Sequence, residues 1–182
     1  MKQKKIIINK TKFNIIVERL SHQLIENHAD FQDSVLIGIQ PRGTHLCKRI
    51  HNKLTSIISN SNIKVGNLDI TFYRDDFRRR KDPLEPQTMD IDFSIEGKHV
   101  ILIDDVLYTG RTVRAALDEI FSYGRPKRIR LGVLVDRGHR EIPIKADFVG
   151  KNLPTSDNEH IHVSITEVDG KDKVFLEKES NK

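Results

Sequence analysis

The sequence predicts an α/β domain, with a mostly parallel central sheet covered by helices on both faces. Short continuous apolar runs, such as SVLIGI (34–39) and VILI (100–103), have the character of strands buried on both sides. Between such runs stand stretches with apolar residues at helical spacing, so strands and helices alternate along the chain. The length of 182 residues suits one domain with one substantial core, and no repeat, low-complexity run or linker divides it.

Each element follows from its local pattern. Phe13, Ile16, Val17, Leu20 and Leu24 recur at helical spacing with charges between them, which predicts an amphipathic helix of about four turns. SVLIGI is the first core strand. Residues 43–58 read as a helix with Leu46, Ile50 and Leu54 on one face, followed by a strand at KVGNLDITFY (64–73). From 74 to 93 the pattern fails: charges, Pro83 and Pro86 dominate. So long a patternless segment inside a compact domain is either disordered or a functional lid. A strand over 98–104 follows, then a turn, then a helix over about 111–122 carrying Val113, Ala116, Leu117 and Ile120. RIRLGVLVD (128–136) is the next strand, with shorter strands expected near 146–149, 161–168 and 173–177.

Composition narrows the setting. Hydrophobic residues make up 37% and charged residues 31%, ordinary for a soluble globular chain. The single cysteine, Cys47, excludes an intramolecular disulfide and fits a reducing, cytoplasmic setting. The opening MKQKKIIINK has too short an apolar run for a signal peptide, and no later stretch approaches a membrane span. A formal charge of +5 permits anionic partners without requiring nucleic acid.

The most informative stretch is VILIDDVLYTGRT (100–112). In an open parallel sheet, ligands sit at the carboxyl ends of strands. Asp104 and Asp105 stand where a strand is expected to end, and Thr109 to Thr112 where the next helix begins. Free N–H groups at a helix start, with Gly110 allowing close approach, make an anion site to which the Thr109 and Thr112 hydroxyls can add hydrogen bonds. Two carboxylates beside a phosphate cradle suit a sugar phosphate, because they accept hydrogen bonds from vicinal hydroxyls. They also favour nearby positive charge, from a metal ion or a carbocation-like transition state. The bland alternative is a strand end, a turn and a threonine helix cap. All the features occurring together and in order make that alternative the weaker one. Neither a Walker A pattern nor GxGxxG occurs.

VILIDDVLYTGRT resembles the phosphoribosyl-pyrophosphate motif of type I phosphoribosyltransferases. IGIQPRG (37–43), DITFYRDD (69–76), VDRGHRE (135–141) and GKNLPTS (150–156) are further similar to the PyrR family of pyrimidine operon regulators with uracil phosphoribosyltransferase activity. The likeness covers roughly residues 4 to 178. It implies the type I phosphoribosyltransferase fold over 1–182, with a flexible lid at about 74–92. It also implies a small hood built from segments of about 136–178 together with the N-terminal region. The reaction it implies is uracil plus phosphoribosyl pyrophosphate giving UMP and pyrophosphate.

By that resemblance, Thr109, Gly110, Arg111 and Thr112 hold the 5-phosphate, and Val106, Leu107 and Tyr108 before them belong to the substrate-binding residues. Asp104 and Asp105 hold the ribose hydroxyls and favour an oxocarbenium-like transition state. Mg²⁺ would bridge pyrophosphate and ribose oxygens, carried by the substrate and touching Asp104 or Asp105. Pro41, Arg42 and Gly43 correspond to the pyrophosphate loop, with Arg42 facing the leaving group, although Pro41 lacks an N–H to donate. Arg78, Arg79 and Arg80, within RDDFRRRK (74–81), would close over pyrophosphate as part of the lid; a solvated basic loop is the alternative. VDRGHREIP (135–143) resembles the family's hood over the base, where Asp136 and Arg137 sit at a strand end facing the site. Arg19, His22, Arg140, Lys145 and Lys151 match the family's basic face for a pyrimidine operon leader mRNA. Glu18 and Asn27 depart from that pattern, standing where RNA-binding members tend to carry threonine and arginine. A homo-oligomer, dimer or higher, is expected.

Other readings stay open. The chain could be purely enzymatic, a regulator with little catalysis, or a phosphoribosyltransferase for a purine or orotate. A receiver domain could place Asp-Asp after a strand around Mg²⁺, but the anion cradle directly after the acids argues against it. His160 and His162 share a strand face without a third ligand nearby, and Cys47 reads as ordinary packing.

Overall fold

The computed structural model describes residues 3–59, 62–70 and 91–178. In chain order the elements are β1 (Gln3–Ile8), α1 (Lys10–His28), β2 (Ser34–Ile39), α2 (Arg42–Ile58), β3 (Lys64–Leu68), β4 (His99–Leu107), α3 (Arg111–Tyr123), β5 (Arg128–Asp136), β6 (Phe148–Asn152), β7 (Glu159–Ser164), α4 (Thr166–Asp169) and β8 (Lys173–Lys178). Five strands form a parallel sheet in the order β3-β2-β4-β5-β6. The other three form a small antiparallel sheet, β1-β8-β7.

The continuous apolar runs explain the layering. Every residue of β2 is buried, with Leu36 packing into one core and Val35, Ile37 and Ile39 into the other. Successive strand side chains point to opposite faces, so a strand with helices on both sides must be apolar throughout. On one face lie α1, through Phe13, Val17, Leu20 and Leu24, and α2, through Leu46, Cys47, Ile50 and Leu54. On the other lies α3, through Val113, Ala115, Ala116 and Ile120. Asn9 starts α1 by accepting the Lys12 N–H at 3.0 Å.

The small sheet joins the first core through Ile8, Val163 and Val174, with Ile165 just after β7, which fixes the hood on the α1–α2 side of the molecule. The structure adds one strand that the sequence reading did not assign and corrects two expectations. The N-terminal residues 3–8 form a strand that pairs with β8 from the far end of the chain. The strand bearing the acidic pair continues to Leu107 instead of ending at 104. The strand expected over 161–168 stops at Ser164, because Asp169 and Asp172 take the Ile165 and Thr166 N–H groups at 2.9 and 2.8 Å and fold α4. The 64–73 strand is described only to Ile70, pairing as far as Leu68. Most of the expected lid, including Arg78, Arg79 and Arg80, lies outside the described residues.

Candidate active site

The acidic pair rides on β4, the middle strand of the sheet, at its carboxyl end. Asp104 is buried, and its Oδ1 accepts the Asp105 N–H at 2.8 Å; Asp105 Oδ1 accepts the Val106 N–H at 2.9 Å. Burial pushes the Asp105 carboxyl above the usual carboxylate range, and the hydrogen bond with Asp104 and the positive charge of Arg42 partly oppose that push. Two adjacent carboxylates, one of them reluctant to ionise, form a place where a cation is favoured.

The QPRG turn lies directly against this pair. A Cβ on Gly43 would stand 2.5 Å from the Ile103 carbonyl oxygen and 3.2 Å from the Asp104 Cα. Only glycine lets the first turn of α2 approach the acidic strand this closely. The Gln40–Pro41 peptide is cis, and the Thr44 hydroxyl donates to the Pro41 carbonyl at 2.9 Å. Arg42, the first residue of α2, donates to Asp169 on the hood, Nη2 to Oδ1 at 3.1 Å and Nε to Oδ2 at 3.4 Å.

The cradle follows β4. Gly110 takes φ +93°, a left-handed value suited to glycine, and caps α3. The hood loop covers it: Glu141 and Ile142 both donate their N–H groups to the Thr109 carbonyl, at 3.0 and 3.1 Å. A Cβ at Gly110 would touch the Ile142 side chain at 3.4 Å. The Arg111 Nε donates to Glu141 at 2.7 Å, tying the cradle to the hood through an exposed pair. Leu107 is buried in the core behind the cradle, while Tyr108 is exposed beside it and Thr112 is half-buried.

The hood is built by side chains that face inward. Asp136 accepts the Gly138 N–H at 3.0 Å and pairs with Arg140. Arg140 also donates to the carbonyls of Tyr108, Ile144 and Gly138. Arg137 is buried, donating to the Thr155 hydroxyl at 3.1 Å and to the Glu159 carbonyl at 2.7 Å, with its guanidinium 4.0 Å from the Tyr108 ring centroid. Tyr108 therefore touches both the Thr109–Thr112 turn and the hood. Asp136, Arg137 and Arg140 act as the hood's internal frame.

Of the basic residues matched to an RNA face, Arg19 donates to the Gly150 and Val149 carbonyls and so lies beside Lys151 at the β6 edge. His22, Lys145 and Lys151 are exposed. Asn27 accepts from Arg130 at 2.8 Å, and Glu18 is exposed. His162 is engaged by Glu177 at 3.1 Å and stacks on Phe175 at 4.9 Å, and among the described residues no cluster of three metal-ligating side chains occurs. Sequence reasoning missed Glu141, and it missed the acidic turn of Glu167, Asp169 and Asp172. That turn meets α2 across more than a hundred residues, and no local pattern signals such a contact.

Comparison with known proteins agrees with this geometry. The phosphoribosyl transferase domain model matches residues 4–168. "Bifunctional protein pyrR" of Enterococcus faecalis is 47% identical over 175 residues, covering 96% of this chain and 97% of that one. "Bifunctional protein PyrR" of Ligilactobacillus salivarius is 52% identical over 163 residues, covering 88% and 90%. In fold, the chain resembles the hypoxanthine phosphoribosyltransferase of Trypanosoma cruzi, with a TM-score of 0.72 over 97% of each chain at 16% identity. A strand-end acidic pair between a glycine-tight loop and a helix-capping cradle, carried on near-full-length likeness, places this chain in the phosphoribosyltransferase family, among its PyrR proteins.

Proposed function

We propose that this chain transfers the phosphoribosyl group of phosphoribosyl pyrophosphate to uracil, forming UMP and pyrophosphate, and that it also binds the leader of a pyrimidine operon mRNA in response to UMP. The observation that carries the enzymatic half is the acidic pair on β4, flanked by the Arg42 loop on one side and the Thr109–Thr112 cradle on the other.

The bond from ribose C1 to the pyrophosphate oxygen breaks, the bond from C1 to the uracil nitrogen forms, and the uracil N–H proton leaves. The α3 start and the Thr109 and Thr112 hydroxyls hold the 5-phosphate. Asp104 and Asp105 accept from the ribose hydroxyls and stabilise the positive charge that develops on the ring. The hood loop, hydrogen-bonded to Thr109, sets the base relative to the phosphate. Arg42 faces the leaving pyrophosphate; the expected contribution of Arg78, Arg79 and Arg80 falls outside the described residues. The two carboxylates are hard oxygen donors that fit Mg²⁺, and a cation beside Asp105 offsets the burial that raises its pKa. Held by Asp104 or Asp105, Mg²⁺ would supply neutralisation of the charge on the diphosphate.

Replacing Asp104 and Asp105 together by asparagine keeps shape and removes charge. Turnover should fall about 10²-fold or more in a Mg²⁺-containing assay of UMP formation, as for the loss of strong electrostatic stabilisation. Unchanged turnover would remove both residues from the mechanism. For regulation, Arg19 reaches the β6 edge beside Lys151 through the Gly150 carbonyl, and exposed His22 follows three residues on along α1, so these side chains supply donors for phosphates. A gel-shift titration with the protein's own operon leader, at two salt concentrations, should show UMP-enhanced binding that weakens in Arg19→Ala and with rising salt. Binding no tighter than to an unrelated RNA would leave the enzymatic half alone.

A further inference from the structure

Two arginines of α2 meet an acidic turn of the hood. Arg42 and Arg49 are seven residues apart, about two helical turns and roughly 10.5 Å along one side of the helix. Arg49 donates to Glu167 at 2.8 and 2.6 Å and to Asp172 at 2.8 Å. Asp172 is buried and also accepts the Thr166 N–H, so Arg49 fixes the α4 turn to the helix. Arg42 meets the same turn one step further on, at Asp169, whose Oδ2 is itself held by the Ile165 N–H at 2.9 Å. Asp169 is thus anchored from behind by backbone and presents its carboxylate to Arg42.

We infer that Asp169 is a positioning residue for pyrophosphate, holding the Arg42 guanidinium in a fixed orientation at the mouth of the site. The inference rests on the proposed role of Arg42 in facing the leaving group. A guanidinium carries five N–H donors, and the fork to Asp169 engages two, which leaves three for phosphate oxygens. An arginine held by a rigid carboxylate loses less freedom when it binds an anion than one that must be ordered on binding. Arg42 also stands within electrostatic reach of Asp105, so its placement bears on the acidic pair. The division of labour on α2 is specific: Arg49 carries the attachment of the hood, and Asp169 carries the orientation of Arg42. Asparagine at 169 can still accept the Ile165 N–H, so the turn survives the substitution while the charged fork is lost.

The test uses the full chain and four measurements on Asp169→Asn, Asp169→Glu and Arg42→Gln: calorimetric affinity for pyrophosphate with Mg²⁺, affinity for UMP, KM for phosphoribosyl pyrophosphate, and the unfolding midpoint. UMP lacks the pyrophosphate group and serves as the internal control. Asp169→Asn should weaken pyrophosphate binding and raise that KM by about tenfold, the scale of one charge-assisted hydrogen bond, with UMP affinity and midpoint unchanged. Asp169→Glu should recover part of the loss. Wild-type pyrophosphate affinity in Asp169→Asn, alongside weakened binding in Arg42→Gln, overturns the inference and leaves the role of Arg42 standing. Wild-type affinity in Arg42→Gln removes both. Tighter binding in Asp169→Asn, or a parallel loss of UMP affinity and midpoint, also overturns it, since the carboxylate would then be a competitor or a structural clasp.

Discussion

His28, at the last turn of α1, shows how one side chain ties elements together and makes stability depend on pH. Its Nδ1 lies 2.8 Å from the Ser34 hydroxyl at the start of β2. Its ring stands among Phe31, Phe148 and His99. Burial, with the nearby charge of Arg130, lowers its pKa from 6.5 to about 4. Between those two values the unfolded chain binds a proton that the folded chain refuses, so folding loses stability as pH falls. The contribution is fully present above pH 6.5 and is lost on the way down to about 4. The ring is only half-buried, and after allowing for solvent screening the loss is on the order of 1–2 kcal/mol. Urea unfolding at pH 7.5 and 4.5 should show a larger drop for the wild type than for His28→Gln. Equal drops would mean that the ring titrates normally.

At the scale of elements, what could be read from the sequence divides by range. β2, α2, α3 and β5 were legible because burial on both faces, or on one helical stripe, writes itself into consecutive residues. The acidic pair and the cradle were legible because strand end, glycine and helix start are neighbours in sequence. β1 was not legible: KKIII carries no alternation, and its strand exists because β8, at the other end of the chain, pairs with it. α4 interrupts what looks like one strand because two aspartates further on capture the backbone N–H groups of Ile165 and Thr166. The inward turn of Asp136, Arg137 and Arg140 was equally hidden. Their partners are backbone carbonyls, a hydroxyl and one another, and no residue pattern reports which carbonyls a guanidinium will find.

At the scale of the whole molecule, the two sheets do different work. The parallel sheet brings the acidic pair, the QPRG turn and the cradle to one end, since the pair lies in the carboxyl-terminal half of β4 and the turn and the cradle follow the ends of β2 and β4, strands of the same polarity. The antiparallel sheet holds the hood against α1 and α2, and the hood loop reaches back to Thr109. The Thr109–Thr112 turn and the hood loop are therefore joined by hydrogen bonds, with Tyr108 in contact with both, and under the proposed function this couples phosphate to base recognition. Under the proposed function, a base that fits the hood is placed over a ribose held by Asp104, Asp105 and the cradle. The most direct measurement is a single incubation series of the wild-type chain with labelled phosphoribosyl pyrophosphate and Mg²⁺, offering uracil, cytosine, orotate, hypoxanthine and guanine in turn. Rapid formation of UMP, with little product from the other four, is the predicted result. Nucleotide formed from hypoxanthine, guanine or orotate in preference to uracil, or no nucleotide from any base, would contradict it.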